Sequence, residues 1–212
     1  MSGSMQNFTL VLASGSPRRK ELLKDAGYEF DVIPSDATEK ATYKRPAYFV
    51  QELAALKAND VADRILNRDT LYEEGKYIKG EVIIIGADTV VSLLDDILGK
   101  PKSEKDAFNM IKSLSDKKHY VYTGVSLIRA VDGKITNRRT MYVRTSVHVA
   151  KLNDEEINAY IATGECMDKA GAYAIQGKFA KHIERIEGNY PTVVGLPINA
   201  VYNLINDVRG VK

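Results

Sequence analysis

Cysteine is almost missing from this chain. Cys166 stands alone, which excludes an intrachain disulfide and any zinc site built from several cysteines. Histidine is nearly as scarce, and His119, His148 and His182 are scattered without close metal-ligand spacing. No apolar run approaches the length of a membrane-crossing helix. The start of the chain lacks the basic-then-apolar profile of a secretory leader, so a cytosolic setting is expected, with no membrane partner. Large charge of either sign is also absent. A formal net charge of +2 gives no broad electrostatic footprint for nucleic acid, so none is expected as a partner. Repeats, low-complexity tracts and proline-rich linkers are absent too. At 212 residues the chain is long enough for one α/β domain, expected over 5–212. Met1-Ser2-Gly3-Ser4 ahead of Met5 reads as an added leader outside that domain.

What is present begins near the start, at Leu10-Val11-Leu12-Ala13-Ser14-Gly15-Ser16-Pro17-Arg18-Arg19. The apolar residues 8–13 fit a buried strand. Ser16-Pro17 then reads as a helix cap with proline at the first helical position, and Gly27 is expected to end that helix. A strand feeding a helix through a Ser/Gly turn offers free N–H groups to a phosphate. Two arginines in the first turn oppose the helix dipole, which points to an anionic ligand. Ser14, Ser16, Arg18 and Arg19 are thus a candidate phosphate cradle. The plainer alternative is a capped surface helix with two solvated arginines.

Further along, residues 28–33 alternate as a half-buried strand would, and a helix is expected from Ala47 to about Leu66. Lys57 lies within that helix and Lys100 follows Gly99; both can extend the cradle, although each alone is an ordinary surface lysine. Residues 67–81 are charged and rich in turn formers, and read as a surface excursion. Val82-Ile83-Ile84-Ile85-Gly86-Ala87 is the most apolar short run and reads as a central strand. It is expected to end at Asp88-Thr89, where a carboxylate is held at a cleft edge; a turn or cap residue is the alternative. A helix is expected from Ser103, strands over 120–130 and 140–152 about an Asp132-Gly133 turn, and a helix capped near Asn153. A short strand over 183–186, a turn at 188–191 and a helix after Pro197 complete the alternation.

Glu39 is the second carboxylate that can join Asp88 in holding a metal. Oxygen ligands of this kind suit Mg²⁺ or Mn²⁺ shared with substrate phosphates. Gln176 sits between Ile175 and Gly177, where a buried amide must find partners. It can pair with the imide edge of uracil or thymine, or be a satisfied core amide; the residues alone leave both open.

Five stretches together carry a family resemblance. They are Leu12 to Arg19, Gly86-Ala87-Asp88-Thr89-Val90, Gly99-Lys100-Pro101, Asp168 to Gly177, and Val193-Val194-Gly195-Leu196-Pro197. In this order the chain resembles the Maf family of nucleoside triphosphate pyrophosphatases, and around Ser16 to Arg19 and Ile175 to Gly177 it is similar to the dTTP/UTP branch rather than the 7-methyl-GTP branch. The resemblance implies an inosine-triphosphatase-like α/β fold: a long mixed sheet with flanking helices forming two lobes around a cleft. It implies hydrolysis of the α–β phosphoanhydride to a nucleoside monophosphate and pyrophosphate, with a divalent metal and a homodimer. It assigns Asp88 as general base, Arg18, Thr89 and Gln176 to substrate choice, and Ser14, Arg19, Glu39, Lys57 and Lys100 to the phosphate and metal region. The 67–81 stretch is longer than is usual for the family. A non-catalytic nucleotide sensor acting on cell division through a partner is the competing class; it would keep Arg18 and Arg19 without needing Asp88.

Overall fold

The computed structural model describes residues 6–66 and 76–211. Residues 1–4, and 67–75 of the expected excursion, lie outside the described residues. Within them a seven-stranded mixed sheet runs in the order β2-β1-β3-β5-β6-β7, with β4 paired to β3. The strands are β1 (Thr9–Leu12), β2 (Asp31–Val32), β3 (Glu81–Leu93), β4 (Asp96–Leu98), β5 (Lys118–Val131), β6 (Lys134–Val149) and β7 (Ile183–Glu187). The helices are α1 (Pro17–Asp25), α2 (Pro46–Leu66), α3 (Glu104–Leu114), α4 (Asp154–Ile161), α5 (Tyr190–Val194) and α6 (Ile198–Arg209). Two short 3₁₀ turns, Ala170–Ala172 and Lys178–His182, lie between α4 and β7. No helix among the described residues is long and apolar enough to cross a membrane.

β1 and β2 run parallel to each other, and β1 runs parallel to β3; the other pairs are antiparallel. Alternation along β3 explains the layers. Ile83, Ile85 and Ala87 pack with Leu10, Leu12, Val125 and Leu127 against α6. Val82 and Ile84 face the other way, onto Ala58, Val61, Ala62 and Ile65 of α2. At the far end of the sheet Val91, Val121, Val147 and Val149 close over α3, α4 and the 3₁₀ turns. The expected long mixed sheet with flanking helices is therefore what the chain forms.

Several boundaries differ from the sequence reading. The run at Val82 does not stop at Asp88. β3 continues to Leu93, and Asp88 sits in mid-strand opposite Gly124, because Val90 and Val91 remain buried strand residues beyond it. The 28–33 strand shrinks to Asp31–Val32, a two-residue edge of the sheet. Residues 188–191 are not only a turn: Asn189 accepts from the Thr192 amide and starts α5.

Two glycines bring α2 onto the sheet. A Cβ on Gly86 would collide with the Ala54 carbonyl, and one on Gly124 with the Val50 carbonyl. Helix backbone thus lies directly on β3 and β5, closer than side chains ordinarily permit.

Candidate active site

Among the described residues β3 has an unpaired stretch along one edge. β1 covers it up to Ile85, and β4 begins opposite Val91. Between them the edge of 86–90 faces a cavity of about 720 Å³, within the range of small-molecule sites. One side of the cavity is built by the β1–α1 turn and α2, the other by the segments around Lys100, Asp168 and Val193. These are the two lobes, and the gap in the sheet is the cleft.

Asp88 and Thr89 point to opposite faces of β3. On the α2 face, Lys57 Nζ lies 2.6 Å from Asp88 Oδ1 and 2.8 Å from Glu39 Oε1. Lys57 and Asp88 are largely buried, whereas Glu39 is well exposed. Burial raises the pKa of Asp88; the charge and hydrogen bond of Lys57, and the charge of Arg19, offset part of that rise. Burial pushes Glu39 the same way, but Lys57, Lys100 and Arg19 together outweigh it and hold the carboxyl below its usual range. Burial thus leaves Asp88 above its usual range despite the shared ammonium, whereas the cations around Glu39 hold it below its own.

On the other face, Arg19 ties three segments together. Its Nη1 donates to Ser14 Oγ (3.0 Å), Nη2 to Thr89 Oγ1 (3.2 Å) and Nε to the Gly195 carbonyl (2.9 Å). All three acceptors are neutral, so the guanidinium keeps its charge without a carboxylate in contact among the described residues. Burial lowers its pKa, and the field of Asp88 works against that. An enclosed cation held this way favours an anionic ligand. Ser14 Oγ also accepts from the Ser16 amide (3.3 Å). Ser16 occupies the cap position of α1, with Pro17 next, yet its own side chain makes no capping bond. The turn is therefore fastened by Ser14, and the Ser16 hydroxyl is left to the cavity.

The hydroxyl of Thr89 has a defined polarity. Thr123 Oγ1 donates to the Thr192 carbonyl (2.8 Å), and Thr89 Oγ1 lies 2.9 Å from Thr123 Oγ1. With Thr123's proton committed, the proton between them must come from Thr89. Arg19 fills one of Thr89's lone pairs, so a single acceptor position remains for a ligand.

Ser14, Ser16, Arg18, Arg19, Glu39, Lys57, Asp88, Thr89 and Lys100 all line this one cavity. Gln176 does not. Its neighbour Ile175 does, but Gln176 is exposed, and the expectation of a buried amide is wrong. The residues around it are apolar in sequence, but the chain turns there at Gly177, with φ of 132°, and Gln176 is left exposed. Sequence reasoning gave no role to Asp168 and Lys169, which also line the cavity and form an ion pair with each other. Their presence in one of the five family stretches was the available signal.

Among the described residues Asp88 and Glu39 are the carboxylates of the cavity that share a cation, Lys57. No group of three or more His, Cys, Asp or Glu suited to a metal occurs among the described residues. Two oxygen-donor side chains converging on one positive charge are of the donor type that a hard divalent cation takes.

Comparison with known proteins gives a consistent picture. A family model described as "Maf-like protein" matches residues 9–208. A protein named dTTP/UTP pyrophosphatase from Agathobacter rectalis is 46% identical over 193 residues, covering 91% of this chain and 94% of the relative. One of the same name from Thermoanaerobacter sp. is 45% identical over 203 residues, covering 94% and 98%. Among solved structures, the Staphylococcus aureus Ham1 protein aligns with a TM-score of 0.43 at 13% identity, over 94% of this chain and 98% of that one.

Proposed function

Since the chain belongs to the Maf-like family, we propose that it is a nucleoside triphosphate pyrophosphatase acting on dTTP and UTP. The supporting observation is the cavity at the free edge of β3, where Asp88 lies between a cationic α1 turn and Lys57.

Arg18, Arg19, Lys57 and Lys100, with the hydroxyls of Ser14 and Ser16, bind the polyphosphate and offset its charge. Asp88 orients a water and takes its proton as the water oxygen bonds to the α-phosphorus. The bond from that phosphorus to the bridging oxygen breaks, and pyrophosphate leaves with the electron pair. The raised pKa of Asp88 makes it a better proton acceptor than an exposed aspartate. Glu39 and Asp88 would hold the divalent metal, which supplies charge neutralisation at the phosphates when bound. Thr89, with one acceptor position and no free proton, suits the N3–H of a thymine or uracil imide. Arg18, and the exposed Gln176 next to the lining residue Ile175, complete the choice of base. The chain acts as one domain over 5–212, and as a homodimer.

A screen for pyrophosphate release across common and modified nucleoside triphosphates, with and without Mg²⁺, tests this reading. Release is expected from dTTP and UTP, and Asp88→Asn should lower kcat by about a hundredfold or more. Turnover of 7-methyl-GTP alone would move the chain to another branch. No release from any substrate would favour a nucleotide sensor.

A further inference from the structure

The long strand β6 is covered on one edge only. β5 pairs with it along almost its whole length, whereas β7 reaches only Ser146 to Val149. From residue 134 to 145 the outer edge of β6 has no strand beside it among the described residues.

Hydrogen bonding shows which backbone groups face that edge. The Arg138 amide donates to Asn137 Oδ1 (2.9 Å), and its carbonyl accepts from Arg139 Nη1 (2.9 Å). Arg138 therefore faces outward and is closed off by its neighbours' side chains. Alternate residues of an antiparallel strand face the same edge. Thr140, Tyr142 and Arg144 follow in that series, and Ser146 is where β7 takes over. All three are exposed.

The chemistry of this edge is one-sided. Lys134, Arg138, Arg139 and Arg144 lie on β6, and residues 134–149 contain no Asp or Glu. Edge-to-edge pairing with a second copy would bring like charges together. Beside the edge lies an aromatic strip. The Tyr142 ring is 6.1 Å from Tyr122, which is 6.4 Å from Tyr120, and Arg144 stacks 4.6 Å over Tyr120. A strand placed here meets arginines on both faces and a tyrosine ring on one. None of these edge residues lines the catalytic cavity.

From this we infer that the β6 edge between Arg138 and Thr145 is a docking site for an extended acidic segment of a partner protein, added as a further strand. Backbone groups of Thr140, Tyr142 and Arg144 supply the register. Carboxylates of the segment pair with Arg138, Arg139 and Arg144, and an apolar or aromatic residue covers Tyr142.

The test uses the whole chain and a fluorescent pool of seven-residue peptides alternating glutamate with valine or tyrosine. Anisotropy should show saturable binding that weakens with salt, and no binding of the matching lysine peptides. Tyr142→Pro removes one outward N–H, which an edge strand tolerates, and should weaken binding about tenfold or more relative to Tyr142→Leu. Joint Arg138→Glu and Arg144→Glu substitution should switch preference to the lysine peptides while nucleotide hydrolysis stays unchanged. The proposal fails if the acidic pool does not bind, if lysine peptides bind wild type equally, or if Tyr142→Pro binds as Tyr142→Leu does. It also fails if oligothymidylate is the ligand whose binding the charge reversal abolishes, or if that reversal changes the oligomeric state in sedimentation, which would make the edge a seam between copies.

Discussion

Asp88 and Gly124 are register partners across β3 and β5, and the missing side chain of Gly124 is what lets α2 hold Lys57 against Asp88. The Val50 carbonyl of α2 occupies the space a Gly124 side chain would need, and the Ala54 carbonyl does the same over Gly86.

Gly124→Ala and Gly86→Ala should therefore each destabilise the fold by about 1–3 kcal/mol, the cost of overpacking a well-filled interior. In both, α2 must lift from the sheet and the Lys57–Asp88 contact lengthens. Urea denaturation and kcat should fall together. A stable variant with full activity would show that the close approach is not what sets the site.

Lys57 stands between Asp88 and Glu39, so removing it leaves two carboxylates facing each other without a cation. Lys57→Met should lower the thermal midpoint in metal-free buffer. Mg²⁺ should then restore stability in the variant more than it raises that of wild type, because the ion takes over the missing positive charge. Equal Mg²⁺ shifts in both proteins would argue against metal binding at these two carboxylates.

The sequence made local structure legible where periodicity and turn chemistry agree. The β1–α1 turn, the Asp132-Gly133 hairpin and the Ser103 and Asn153 caps follow from neighbouring residues alone, and they appear as expected. Asp88 was misplaced because a charge after an apolar run looks like a strand end. What keeps it in the strand is pairing with a segment more than thirty residues away. Gln176 failed for a related reason: burial was inferred from flanking apolar residues in a segment that follows no regular period. The gap in the β3 edge was not legible at all, since it depends on where β1 stops and β4 starts.

Thr123 sets the polarity of Thr89 from beneath it. In Thr123→Val Thr89 loses its near acceptor and keeps only the distant Gly195 carbonyl at 3.5 Å, so its proton is freed to turn to a ligand and Thr89 can donate as well as accept. A cytosine N3, which needs a donor, is then tolerated where a uracil N3–H was preferred. The ratio of kcat/KM for UTP over CTP should fall by about tenfold, roughly one hydrogen bond's worth. Stability should also drop, because the Thr192 carbonyl loses its partner. An unchanged ratio would remove Thr89 from base selection.

His119 makes the fold sensitive to mild acid. His119 is 1% exposed, its Nε2 lies 2.8 Å from Tyr173 Oη, and its Nδ1 has no hydrogen-bond partner among the described residues. Burial, with a small contribution from His148, lowers its pKa from 6.5 to about 4. Because the unfolded chain binds this proton more readily, stability is fully present above pH 6.5 and is lost as the pH falls toward 4. The loss is on the order of 3 kcal/mol for a shift of this size. Burial lowers His182 as well, adding in the same direction. Carboxylates held below their usual range, such as Glu39 and Glu81, act only further down the acid scale. Urea denaturation of wild type at pH 7 and pH 5 should show the drop, and His119→Gln, which keeps a polar group facing Tyr173 but does not titrate, should flatten most of it. A variant with the same pH slope as wild type would show that the buried imidazole is not its source.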